Sequence, residues 1–259
     1  MTSRTVLRLT TAAGLIVLAA CNDNTSPSLV DQTTLTTDVA SSSGDAIATD
    51  VSAISANEAF ASFAAPVQPS PAAVTGDSII YTRSRTCYDS TGTTTPCGTS
   101  LVRKAVVQWS FAGFRDDTAA NGAVFTGDVT RSANDTLFRN YTGATETSRT
   151  HDGVAVGSDT SSFVGPNVTR TYQESGIDSV DAVTFDLPRV TNPWPVSGKI
   201  IRNVSVHATF QNANRSSSTT VTKRVEVDFP PDNQGNVVLK IDNKTCNLNL
   251  VNHHVSSCQ

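Results

Sequence analysis

Four cysteines are the residues whose type and spacing speak most directly of chemistry. Cys87 and Cys97 lie ten positions apart and Cys246 and Cys258 twelve. Four cysteines allow three connectivities, and the local pairing, Cys87 with Cys97 and Cys246 with Cys258, is the simplest. The first pair brackets Tyr88-Asp89-Ser90-Thr91-Gly92-Thr93-Thr94-Thr95-Pro96, a run of turn formers able to close a hairpin. Structural zinc favours Cys-x-x-Cys pairs, and the chain has none. The four are therefore read as structural disulfides of an exported chain rather than as metal ligands or catalytic thiols. Three of the four histidines, His207, His253 and His254, are the other candidate metal ligands. Adjacent residues on a strand point to opposite faces, so His253 and His254 cannot both reach one ion, and they are read as part of a solvated C-terminal tail. Asp232-Asn233-Gln234-Gly235-Asn236 has a calcium-loop flavour but lacks the spaced acids and closing Glu of such a loop; after Pro230-Pro231 it reads as a hairpin turn. No metal and no cofactor is expected.

The N-terminus carries a different kind of chemistry. Arg4 and Arg8 precede an apolar stretch over 12–20, and the stretch closes with Leu18-Ala19-Ala20-Cys21. A charged n-region followed by an apolar run too short to span a bilayer is the pattern of an export signal. The terminal Leu-Ala-Ala-Cys resembles the lipobox of bacterial lipoproteins. The resemblance implies cleavage before Cys21, acylation of that residue and attachment to a membrane through it. Several acyl chains, at about 0.8 kcal/mol per buried methylene, anchor durably. Loss of Arg4 and Arg8 takes the formal charge from -4 to -6. Asn22, rather than the Asp that the enteric retention rule wants, follows Cys21, which points towards the outer membrane.

A second resemblance is local. Gly76-Asp77-Ser78-Ile79 is similar to the Gly-Asp-Ser block of the GDSL (SGNH) esterases, whose serine is the nucleophile. That serine should follow a buried strand and open a helix. Here Pro69-Ser70-Pro71-Ala72-Ala73 precedes it and the strand-like Ile79-Ile80-Tyr81 follows, and the family's C-terminal Asp-x-x-His is missing. A hydrolase assembled from scattered residues such as Ser78, His151 and Asp152 gains no support. Trp109, Tyr172 and Trp194 are the aromatic contact candidates for a sugar or lipid. Trp194, in Asn192-Pro193-Trp194-Pro195, is read first as a plug for the end of a sheet. The Asn-x-Ser/Thr triplets starting at Asn24, Asn134, Asn140, Asn167, Asn203, Asn214 and Asn243 are put down to composition.

The elements that position these residues follow from composition and periodicity. The chain has 259 residues, 19 Lys plus Arg against 23 Asp plus Glu, 36 Thr and 29 Ser, and 16% charged residues. No basic face for nucleic acid is available from such a balance, and no apolar run reaches the roughly 18 residues of a membrane helix. The organisation read from the sequence is a signal over 1–20, a flexible tether over 21–34, an amphipathic helix over 35–56, a Pro/Ala/Ser linker over 57–77 and one β-domain over 78–259. The helix rests on Leu35, Val39, Ala46, Ile47, Val51 and Ile54, spaced by threes, fours and sevens.

Beyond Asp77 the apolar period becomes two. Strands are expected over 78–88, 101–114 and 123–131, with a weaker signal between Ser132 and Gly176. The alternation is cleanest at Val204, Val206, Ala208 and Phe210, at Val225, Val227 and Phe229, and at Val237, Leu239 and Ile241. Connections of a few residues suit antiparallel neighbours and exclude helical crossovers. The fold class is mainly β: an antiparallel meander with one wet and one dry face, drawn out as a curled sheet, a sandwich or a half-barrel, with one N-terminal helix. The function expected is a non-enzymatic binding or scaffolding domain at a membrane. The alternative is a carrier of a lipid or other hydrophobic ligand in a curled-sheet cavity, as in lipoprotein-sorting half-barrels, a likeness of fold alone.

Overall fold

The computed structural model describes residues 30–57, 80–118, 124–165, 167–190 and 193–259. Cys21 and Ser78, the signal, the tether up to residue 29 and nearly all of the linker lie outside these residues; at its end the expected tether is corrected, because 32–34 already belong to the helix. One helix, α1 (Gln32–Asn57), precedes eleven strands: β1 (Ile80–Tyr88), β2 (Thr94–Thr95), β3 (Lys104–Thr118), β4 (Val124–Thr142), β5 (Thr145–Val164), β6 (Thr169–Asp186), β7 (Ser197–Gln211), β8 (Ser216–Asp228), β9 (Asn236–Ile241), β10 (Lys244–Asn249) and β11 (Val255–Ser256). They form one open antiparallel sheet in the order β11-β10-β9-β8-β7-β6-β5-β4-β3-β1-β2. Apart from the β2 hairpin, each strand pairs with its neighbour in sequence, which is the meander that the short connections require.

The helix starts where Asp31 caps it, its carboxylate accepting from the Thr33 and Thr34 amides at 3.0 and 3.3 Å. A side-chain oxygen there satisfies amides that lack a helical partner. Leu35, Val39, Ile47, Val51 and Ile54 are fully or nearly fully buried against Val204, Val206, Val225, Val227, Leu239, Ile241 and Leu248 of β7–β10. Ala46, in the expected stripe, is only half-buried, and Ala40 and Ala48 complete the packed face instead. Gly44 is required here: a Cβ at that position would stand 2.4 Å from Cγ2 of Val255 and 3.2 Å from Cδ1 of Leu248.

Both local disulfides are present, Cys87–Cys97 and Cys246–Cys258. The first ties β1 to the loop after β2, and the second ties β10 to the C-terminus. Three strand boundaries differ from expectation. Residues 101–103 lie outside the strands, so β3 begins at Lys104 and runs to Thr118, and β4 continues from 131 to Thr142. The weak region around 145–164 is the longest strand of the sheet. Its inward residues include His151, Gly153, Ala155, Gly157 and Asp159, so no apolar alternation marks it in the sequence.

Candidate functional site

The inward face of α1 is as polar as it is apolar. Asp38, Ser42 and Asp45 recur at spacings of four and three, which stacks them along one side of a helix, and Asp50 follows five residues later. Each meets a polar group of the sheet or of the β10–β11 connection. Asp38 accepts the Tyr172 hydroxyl, and its Oδ2 lies 2.8 Å from Nε of Arg170. The Ser42 hydroxyl donates to the Glu174 carboxylate, 2.8 and 2.9 Å from its two oxygens. Asp45 Oδ1 is 2.9 Å from Nδ1 of His253. Asp50 is gripped by Arg131 through Nε at 2.6 Å and Nη2 at 2.5 Å.

Arg131 also donates to Asp178, and Arg202 Nη1 donates to the other Asp178 oxygen at 3.0 Å. Asp50, Arg131, Asp178 and Arg202 therefore form a continuous chain of two carboxylates and two guanidiniums. All four are buried, none more than 5% exposed. Charges of this kind are stable in an interior only when paired and hydrogen-bonded. The sheet makes room for them with glycine. A Cβ on Gly157 would stand 3.0 Å from Arg131 Nη1, and one on Gly153 3.2 Å from Oδ1 of Asp135. Beside this chain Asp135 binds the buried His151 at 2.8 Å.

The electrostatics follow from burial and pairing. Burial pushes Asp50 up to about 7 against the pull of Arg131. Burial acts the same way on Asp178, but Arg131 and Arg202 together hold it below the usual carboxylate range. Burial raises Asp38 although the Tyr172 hydroxyl opposes it, and burial with the Asp38 charge raises Tyr172 in turn. The Ser42–Glu174 contact has the form of a hydroxyl beside a base. Both side chains are buried beneath α1, so the contact joins helix to sheet and faces no substrate. The seam's chemistry is that of a lock which fixes the position and register of α1.

The opposite face of the sheet is open. Thr82, Ser84, Gln108, Ser110, Ser132 and Asn134, with Val154 and Val156, line a groove of about 590 Å³ across β1, β3, β4 and β5. A second depression of about 390 Å³ continues it through Ser110, Ser132, Val156 and Ser158. Cross-strand hydroxyl pairs lie along it, Thr82 with Ser110 at 2.6 Å and Thr130 with Ser158 at 2.7 Å. Val154, Val156 and Ile177 are 48%, 46% and 54% exposed and adjoin across β5 and β6. The outward side chains named here carry no charge.

The residues singled out by sequence do not converge. His151 is buried, whereas Asp152 points outward and accepts the Ala182 amide at 2.8 Å. His207 lies on the outer face, 3.0 Å from the Thr220 hydroxyl. His253 corrects the reading of a solvated tail: it is buried against Asp45, while His254 is exposed. Among the described residues no group of three or more His, Cys, Asp or Glu is placed to hold a metal. Trp109 and Tyr172 are buried in the interior. Trp194 is half-buried over the β8–β9 turn, where a Cβ on Gly235 would stand 2.9 Å from its Cζ2. That turn is the hairpin expected at Asp232, whose carboxylate accepts the Gln234 and Asn236 amides at 2.8 and 2.9 Å. The chain of Asp50, Arg131, Asp178 and Arg202 is not foreseen by the sequence reading, and the signal that the sequence offers is the set of aspartates Asp38, Asp45 and Asp50 interleaved with the apolar residues of the helix. No protein-family model, no curated protein and no solved structure matches this chain.

Proposed function

We propose that the chain is a lipoprotein of the bacterial envelope, anchored through acylated Cys21, whose β-domain binds or scaffolds a partner and performs no catalysis. The lipobox-like Leu18-Ala19-Ala20-Cys21 supports the anchor, Asn22 supports the outer membrane over the inner, and two disulfides suit an oxidising compartment. The observation that carries the binding reading is the outer-face groove. A floor of outward hydroxyls and amides, bordered on β5 by the exposed Val154 and Val156 with Ile177 of β6 beside them, offers hydrogen bonds and apolar contact to a protein or glycan surface. Its partner is neither nucleic acid, for want of a basic face, nor a metal.

A carrier of a lipid or other hydrophobic ligand is the competing function. The apolar face that would hold such a ligand is filled by Leu35, Val39, Ile47, Val51 and Ile54 of α1, so a carrier would have to displace a helix held by four sets of polar contacts. Native mass spectrometry of the full chain taken from the envelope separates the two. A mass of polypeptide, two disulfides and the Cys21 lipid alone is expected. A further apolar ligand at near-unit occupancy would overturn the binding-domain reading in favour of the carrier.

A further inference from the structure

The β7–β8 hairpin fixes which backbone groups of β8 are spent inside the sheet. The Asn212 amide donates to the Arg215 carbonyl at 2.9 Å, and at the far end the Phe229 amide donates to Gly198 at 3.0 Å. Hydrogen-bonded pairs recur at every second residue of an antiparallel ladder, so the odd-numbered residues of β8 bond to β7 and the even-numbered ones face away. On that far side β9 pairs only with Val225, Glu226 and Val227. Among the described residues, no strand pairs with the outer side of Ser216–Arg224. Ser216, Ser218, Thr220, Thr222 and Arg224 therefore direct their amides and carbonyls to an open edge.

Native sheets blunt such edges with proline, charge, bulges or very short strands. The stretch Ser216–Thr222 has none of these: it is seven residues of Ser, Thr and Val in unbroken register with β7. Its register is also self-complementary. A two-fold axis through Thr220 sets Ser218 opposite the second copy's Thr222, and Ser216 opposite its Arg224. On the inner side Val221 meets Thr219, and Lys223 meets Ser217. No like charges face each other, and hydroxyl pairs of this kind are favourable across strands.

We infer that β8 is a homodimerisation edge, at which two copies of the chain join antiparallel about Thr220 into one continuous sheet. Isologous two-fold contacts are the commonest closed assembly. Facing residues of a hydrogen-bonded pair stand about 5.5 Å apart at Cα, within the span of a disulfide, and this gives a direct test. Thr220→Cys is introduced into the full chain in the envelope, with Thr130→Cys on the outer face as control, and both are oxidised and run on a non-reducing gel. A covalent dimer for Thr220→Cys well above the control is expected. Purified wild type should sediment as a dimer at micromolar concentration, and Thr220→Lys, which sets two charges on the axis, should weaken it at least tenfold. The Thr220 side chain is exposed and its hydroxyl meets only the surface His207, so the variant should fold with the circular dichroism spectrum of wild type, and its melting temperature should match that of wild type diluted to the monomer. A monomeric wild type, cross-linking no greater than the control, or a dimer indifferent to Thr220→Lys would overturn the inference.

Discussion

Gly176 of β6 is the floor beneath the Arg202 guanidinium: a Cβ at position 176 would stand 2.5 Å from Cζ, 2.6 Å from Nη1 and 2.7 Å from Nη2 of Arg202. Arg202 is 2% exposed, so this one missing methyl group decides whether the chain from Arg202 through Asp178 and Arg131 to Asp50 can form. Through Asp50 it decides how α1 is held. Gly176→Ala should therefore destabilise strongly, by about 2–4 kcal/mol, combining overpacking with a disturbed buried ion pair. Gly98→Ala, where nothing stands within 4 Å, should move the urea midpoint little. Chemical denaturation of the two variants beside wild type checks this.

The pH response follows from Asp50. Its carboxyl is raised from an ordinary value of 3.8 to about 7, so the folded state prefers it protonated. Its favourable contribution is complete below pH 3.8 and is lost as pH rises towards 7. Asp178, held low by Arg131 and Arg202, has the opposite sign and loses its contribution only in acid, below its ordinary 3.8. The urea midpoint of wild type should fall between pH 5 and pH 8. In Asp50→Asn, which cannot ionise, that fall should disappear, and an unchanged slope in the variant would assign the titration to another group.

The C-terminal disulfide closes a loop of 12 residues between Cys246 and Cys258. A loop of that size is worth about 3 kcal/mol in the chain-entropy account. It also holds the segment carrying His253, which binds Asp45 of the helix. Cys246→Ser with Cys258→Ser should lower the melting temperature by several degrees. It should also speed hydrogen exchange in α1 more than in β3 or β4.

Val156 lies at the centre of the outer face and touches none of the buried seam. Val156→Arg should leave stability within about 0.5 kcal/mol of wild type, as surface substitutions generally do. In the envelope it should abolish partner cross-links formed from a photoreactive group placed at Ser132. Cross-linking that survives the arginine would remove the groove from the account.

The sequence made part of this architecture visible and hid the rest for physical reasons. Val204, Val206, Ala208 and Phe210 read as a strand because their inner partners are apolar, and the short connections leave only a meander. The disulfides were legible because each closes a local loop. β5 was not legible, because its inner face is built from His151, Gly153, Gly157 and Asp159, a pattern with no hydrophobic period. The buried chain was hidden by distance: Arg131 is 81 residues from Asp50 and 47 from Asp178, and nothing local marks an arginine destined for an interior. His253 was misread for the same reason, since its partner Asp45 lies 208 residues away.

The anchor is the claim on which the proposed function stands, and labelling tests it most directly. Cells producing the chain are fed an alkyne-bearing fatty acid, and the protein is recovered and analysed by mass spectrometry. The account predicts a mature N-terminus at residue 21 that carries the label, with the label lost and the signal uncleaved in Cys21→Ser. An unlabelled chain, or a label indifferent to Cys21→Ser, would contradict it.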